Sequence, residues 1–334
     1  MFLFHRHHRQ RSHLYLSLHL HGMWGVYLNE FFRRIATSLI GLFVPIYILD
    51  VTGDFIFVLW FFLSFAFFAA VSEYISALVI RRIGVDWGMV LGGVFRFGFI
   101  VLLIFAERNP IFFFFSAMSY GFSSPFDWLP FHYVVVKVSK KAHLYGMAAS
   151  YSVIVTQFAS AISPVIGGFV IYLYGYTALY SVAAALLILS VLMPFLDDFK
   201  KNGMHVSGKE MLDRFEDPGI WKHIFAFWTK GFDGFVYMMV WPIFLISLMG
   251  SVQSSGLLHT ISLLVALFST YYTGRFVDKK NFKMMKPGAL LVSLSWWSRI
   301  FSLNGIHLFI VDLVYNIGLS FLRVKSHKKD TMTV

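Results

Sequence analysis

Residues 55–86 read FIFVLWFFLSFAFFAAVSEYISALVIRRIGVD. From Phe55 to Ile80 the only charged side chain is Glu73, and the run then closes on Arg81 and Arg82. About 20 consecutive apolar residues are enough to cross a bilayer as an α-helix. Outward from this stretch, comparable windows fall at 31–50, 55–80, 87–106, 111–136, 146–172, 177–196, 224–249, 256–274, 287–304 and 306–323. The breaks between most of them, such as DVTGD, ERNP and LYGYT, are too short to hold domains, so successive helices should be antiparallel neighbours. The chain of 334 residues is 58% hydrophobic and 13% charged, with 39 Phe. Soluble domains carry about 25% charged residues. The expectation is an all-α, multi-pass membrane protein with ten transmembrane helices.

The basic residues give an orientation. All but four of the 28 Lys and Arg lie in the N-terminus, in alternate breaks or in the tail, where Arg81 and Arg82, Lys137 to Lys141, Lys200 to Lys222, Arg275 to Lys286 and Arg323 to Lys329 fall on one side. Arg108 lies opposite, and Arg96, Lys230 and Arg299 fall inside windows. Cytoplasmic loops carry the excess of Lys and Arg, so both termini are expected in the cytoplasm. The net charge of +11 then reflects topology and contact with anionic lipid; nucleic acid is not an expected partner. The first 22 residues lack an apolar core and a small-residue cleavage site and do not read as a signal peptide. Met23 is an alternative start.

The chain is expected to divide into a basic, His-rich N-terminus at 1–30, a six-helix bundle at 31–196, a cytoplasmic linker at 197–222, a four-helix bundle at 223–323 and a basic tail at 324–334. The linker is the one long polar segment, and its SGKEMLDRF stretch suits a short amphipathic helix on the membrane surface.

Two basic turns follow the second window of each half: ALVIRRIGVD and GRFVDKKNFK. The second fits a Gly-x-x-x-Asp-(Arg/Lys) pattern through Gly274, Asp278 and Lys279; the first has Ala77 and Arg81 where that pattern has Gly and Asp. The fifth window carries Ser163, Pro164, Gly167 and Gly168 in SAISPVIGGFV. Small residues let helix backbones approach closely in a membrane. These motifs, the two halves and the linker resemble the major facilitator superfamily. The resemblance implies two bundles rocking around a central site so that access alternates, with the first, fourth, seventh and tenth helices lining that site. It also implies twelve spans, so the ten windows suggest a C-terminally truncated member or one completed by a partner.

Charges inside spans usually face the protein interior or water. Asp127 and His132, in PFDWLPFH, are candidates for a solute or proton site, though five residues apart they need not share a face unless Pro125 and Pro130 distort the helix. Lys230 and Asp233 share a face at i,i+3; either they neutralise each other, or Asp233 holds a proton and Lys230 an anionic group. Asp312 and Asn316, one turn apart, suit a polar wall or an interfacial position. Tyr237 and Trp241, with Tyr120 and Trp128, are candidate stacking surfaces. Arg96 and Arg299 occupy corresponding helices of the two halves and are expected in structural ion pairs, with Glu73 as the partner of Arg96. Glu30, Arg33 and Arg34 read as an interfacial ring.

No Cys is present, so thiol and redox chemistry drop out. The N-terminal histidines have no carboxylate or thiolate beside them, which argues against a metal site, and no cofactor is expected. No His-Glu-x-x-His or Gly-x-Ser-x-Gly occurs, so an enzyme is not the expectation. The expected function is secondary active transport of a small solute, with protons as an optional coupling ion and lipids as the surrounding partner. The competing expectation is a non-transporting fragment or subunit. The expected location is the plasma (cell inner) membrane.

Overall fold

The computed structural model describes residues 24–142, 145–196, 219–280, 285–302 and 304–330. The histidine-rich segment, most of the expected linker with its SGKEMLDRF stretch, and the last four residues lie outside them. Every described element is a helix. In chain order these are α1 (Trp24–Gly41), α2 (Val44–Thr52), α3 (Phe55–Ile83), α4 (Val85–Ala106), α5 (Ile111–Ala142), α6 (Tyr145–Leu192), a short 3-10 turn (Met193–Leu196), α7 (Ile220–Met249), α8 (Val252–Lys280), α9 (Met285–Ile300) and α10 (Gly305–Asp330).

Seven helical stretches among the described residues, not ten, are long and apolar enough to cross a membrane. Three physical reasons account for the difference. The stretch Gln157–Leu196 holds the expected fifth and sixth spans as one; within α6 the backbone leaves helical geometry only at Gly175, with φ 82° and ψ 175°. A left-handed φ costs a side chain but not glycine, so LYGYT turns the chain without a loop. Helix α9 has only 16 residues. In α5, Pro125, Pro130, Asp127, His132 and a row of serines dilute an otherwise apolar segment. The helix still runs through both prolines without interruption.

The ends follow local chemistry. Gly53 closes α2 at φ 66°, its N–H bonded to Leu49 O. Asp54 Oδ1 then accepts from Ile56 N at 2.8 Å and opens α3. Asn109 does the same for Ile111 and Asn304 for His307. A helix N-terminus leaves N–H groups without partners, and short polar side chains supply them.

The described residues fall into two compact units. One draws on Met1–Arg33, Trp60–Ala148 and Ala184–Gly231, the other on Arg34–Leu59, Ala149–Ala183 and Phe232–Val334.

In the first unit α4 packs along α5. Lipid offers no hydrophobic drive between helices, so close packing and hydrogen bonds must hold them. Ser116, Ser119, Ser123 and Asp127 recur every three or four residues on α5 and form one polar stripe. Ser116 and Ser119 donate to the carbonyls of Phe99 and Phe95 at 3.1 and 2.6 Å. Gly92 permits the approach: a Cβ there would lie 2.5 Å from Asp127 Oδ1 and 2.9 Å from the carbonyl carbon of Phe126. On another side of α5, Gly121 meets α3, where its added Cβ would fall 2.8 Å from Ala69 N and Phe65 O. An apolar core of Val26, Tyr27, Ile80, Val85, Met89, Phe126, Phe131 and Val134 fills this unit.

In the second unit the expected small-residue face of α6 is a packing face. A Cβ on Gly167 would meet Leu39 O and the Phe43 ring, and one on Gly168 would meet Val252 O at 2.8 Å. Gly256 of α8 lies against the carbonyl of Pro164 in the same way. Proline in a helix disturbs the hydrogen-bond ladder around it; here Val165 N donates to Thr260 Oγ1 at 3.0 Å. Helix α10 packs on α8 and α9, with Gly288 and Gly318 opposed closely enough that a Cβ on either would lie about 3 Å from the other's carbonyl oxygen.

Candidate functional site

Each unit buries one cluster of charge. In the first, Asn29 and Glu30 of α1 lie four and three residues before Arg33, each a neighbour of it on the helix surface, and all three are buried. Arg33 pairs with Glu30. Its Nη1 also lies 3.0 Å from Asp127 Oδ2. Arg96 of α4 approaches the same oxygen at 2.6 Å through Nη2, and that nitrogen donates to Ser123 Oγ at 3.1 Å. The Arg96 guanidinium also lies over the Tyr120 ring, 5.4 Å from its centroid. Asn29 Nδ2 donates to Ser190 O at 2.7 Å and holds α1 to the end of α6. Two carboxylates thus meet two guanidiniums, and the formal charges cancel.

The second cluster is built on an arginine among aromatic rings. The Arg299 guanidinium carbon lies 3.8 Å from the Trp241 ring centroid, 4.1 Å from Trp296, 4.6 Å from Tyr315 and 5.4 Å from Tyr237. A cation is attracted to the negative face of an aromatic ring, more strongly where water is excluded. Arg299 Nη2 also donates to Asp312 Oδ1 at 3.3 Å. Asn316 Nδ2 donates to both the backbone and the carboxylate of Asp312, at 2.9 and 3.3 Å. Asp233 faces neutral donors: Trp296 Nε1 at 2.6 Å and Tyr315 OH at 3.0 Å. His259 is buried beside Tyr237, ring centroids 6.1 Å apart, and its Nδ1 has no hydrogen-bond partner among the described residues. This cluster holds two carboxylates and one guanidinium, which pairs with Asp312.

Several sequence expectations change on this geometry. Arg96 pairs with Asp127; Glu73 is exposed and accepts instead from Trp128 Nε1 at 3.2 Å. Glu30 and Arg33 are interior, not an interfacial ring. Asp127 is buried while His132 is exposed and packs against Trp128, so the prolines do not bring the two to one face. The oxygens of Asp233 go to Trp296 and Tyr315, and Lys230 is exposed. Asp312 and Asn316 do share a face and are buried rather than interfacial. Arg299 has the ion pair expected of it, with Asp312. Tyr237 and Trp241 give ring faces to Arg299, while Tyr120 is stacked between Phe65 and Phe99, each 4.4 Å away. Gly274, Asp278 and Lys279 fall in the last turns of α8, where side chains are outside the description.

Sequence reasoning missed Trp296 and His259, and placed Arg33 at the wrong depth. The signal for Arg33 was the buried spacing Val26, Asn29/Glu30, Arg33 on one helix face. His259 carries no such signal, because polar residues in α8 are not gathered on one face.

Apolar helices that bury paired charges in this way suit an integral membrane protein. Residues 26–326 match the family described as the Major Facilitator Superfamily. The chain belongs to that superfamily. Among solved structures it is similar to a D-xylose–proton symporter, with 13% identity, a TM-score of 0.68, and coverage of 93% of this chain and 81% of the other. It is also similar to the nucleoside transporter NupG in a mutant form, with 14% identity, a TM-score of 0.69, and coverage of 93% and 83%. At such identities the likeness is one of fold. No curated protein sequence matches significantly.

Proposed function

We propose that this chain is a secondary active transporter that moves a small solute by alternating access across the plasma (cell inner) membrane, coupled to protons. Ten helical segments span the bilayer in this reading, with both termini in the cytoplasm, as the basic residues suggest. The bundles are 31–196 and 223–323, joined by the linker at 197–222, with Pro164, Gly167 and Gly168 a close-packed pivot. Gly274, Asp278 and Lys279 form a gating turn.

The observation that carries the proton coupling is the unequal charge of the two clusters. Asp127 faces two guanidiniums; a proton there would strand Arg96 and leave Arg33 with Glu30 alone. Among the described residues Asp233 accepts from an indole and a phenol, so a proton can enter or leave without orphaning a cation. Asp233 is therefore the coupling carboxylate, and Asp312 with Asn316 holds Arg299 in place. Tyr237, Trp241, Lys230 and His132 remain solute-contact candidates. The neighbours in fold make pentoses and nucleosides the first solutes to try.

The test is uptake into proteoliposomes of D-xylose and uridine, with and without an inward proton gradient. Asp233→Asn should abolish gradient-driven accumulation and leave solute exchange intact. Full accumulation by Asp233→Asn would remove this carboxylate from the mechanism.

A further inference from the structure

Glu73 is an intramembrane charge that neither cluster uses. It lies eight residues before Arg81 on α3, about 12 Å along the helix and so within the roughly 30 Å hydrocarbon thickness. It is exposed, as are Trp128 at 42% and His132. Trp128 precedes the first basic residue of the α5 end, Lys137, by nine positions, about 13 Å, which is the same depth.

These three side chains form one arrangement on the first unit. Trp128 Nε1 donates to Glu73 Oε1 at 3.2 Å, which turns the indole toward the carboxylate. His132, one helical turn along α5, packs edge-on to the indole at 4.9 Å between ring centroids and 79° between planes. No ion pair to Glu73 is present among the described residues. A carboxylate at this depth is costly in lipid unless it faces water or gains a counter-charge. A carboxylate with an indole fixed beside it is the pair of groups that recognises an organic ammonium, through charge and through the ring quadrupole together.

We propose that Glu73, Trp128 and His132 form a water-reached binding site for the cationic nitrogen of an organic ammonium ion. Glu73 supplies the charge, Trp128 the ring face, and His132 holds the indole. The site belongs to the first unit alone and does not depend on the transport reading or on Asp233.

The probe is radiolabelled tetraethylammonium, bound to the purified full chain in detergent. Saturable binding competed by choline is expected. Glu73→Gln should weaken it by about tenfold or more and Trp128→Leu by about three- to thirtyfold, both with an unchanged size-exclusion profile. The chain has no cysteine, so Glu73→Cys and His132→Cys each carry a single thiol. Both should react with a charged, water-borne methanethiosulfonate in membranes, and in His132→Cys tetraethylammonium should slow the reaction. Absence of tetraethylammonium binding, or equal binding by Glu73→Gln, overturns the proposal. So does a thiol at position 73 that reacts only with a lipid-soluble maleimide while native Glu73 takes up dicyclohexylcarbodiimide, because the carboxyl is then protonated and faces lipid.

Discussion

The two buried clusters solve the same problem differently. In the first unit Asp127 is held between Arg33 and Arg96, and Glu30 completes a balanced set. In the second, Arg299 is held by four aromatic rings and one carboxylate, and Asp233 is held by neutral donors. A balanced set of charges resists the loss of any member, because removing one leaves another buried without a partner. A carboxylate among neutral donors can change its proton without that penalty. The proposed coupling role of Asp233 rests on this contrast.

The sharpest way to break this contrast is to unbalance the first cluster. Arg96→Leu leaves Asp127 and Glu30 against Arg33 alone, and should destabilise the protein by about 3–5 kcal/mol, read as a large fall in melting temperature in detergent. Gly92→Ala attacks the same site through packing. Its Cβ would press on Asp127 Oδ1 and on the Phe126 backbone, which cannot swing aside, so a loss of about 1–3 kcal/mol is expected. In the second cluster Arg299→Lys keeps the charge but loses the flat guanidinium between the rings. That should cost about 1–2 kcal/mol and quench or shift tryptophan emission from Trp241 and Trp296. If Arg299→Lys proves as damaging as Arg96→Leu, the two clusters are alike and the contrast fails.

Much of this was legible in the sequence where the cause is local. The apolar runs, the Gly53 and Gly175 turns, and the small-residue face at Pro164, Gly167 and Gly168 follow from residue type and spacing along one helix. The pairing of Asp312 with Asn316 was legible for the same reason. What failed was azimuth across helices. Glu73 and Asp127 both lie within reach of Arg96 by depth, and only the docking of α4 on α5 through Gly92 decides between them. The serine stripe that ends at Asp127 pointed to that face and was readable. Depth of the α1 charges failed because Glu30 and Arg33 resemble interfacial residues until their burial against α5 is seen. The count of spans failed where polar side chains serve packing, as in α5, and lower the apolar signal of a helix that is nonetheless long.

The central claim is that Asp127 is structural and Asp233 is not. The direct test is the thermal melting of Asp127→Asn and Asp233→Asn side by side, in one detergent at one pH, with the solute absent. Asp127→Asn should lose about 3 kcal/mol or more because Arg96 is left buried without a carboxylate, whereas Asp233→Asn keeps an acceptor for Trp296 or Tyr315 and should lose less than about 1 kcal/mol. Equal losses, or a larger loss for Asp233→Asn, would contradict the account.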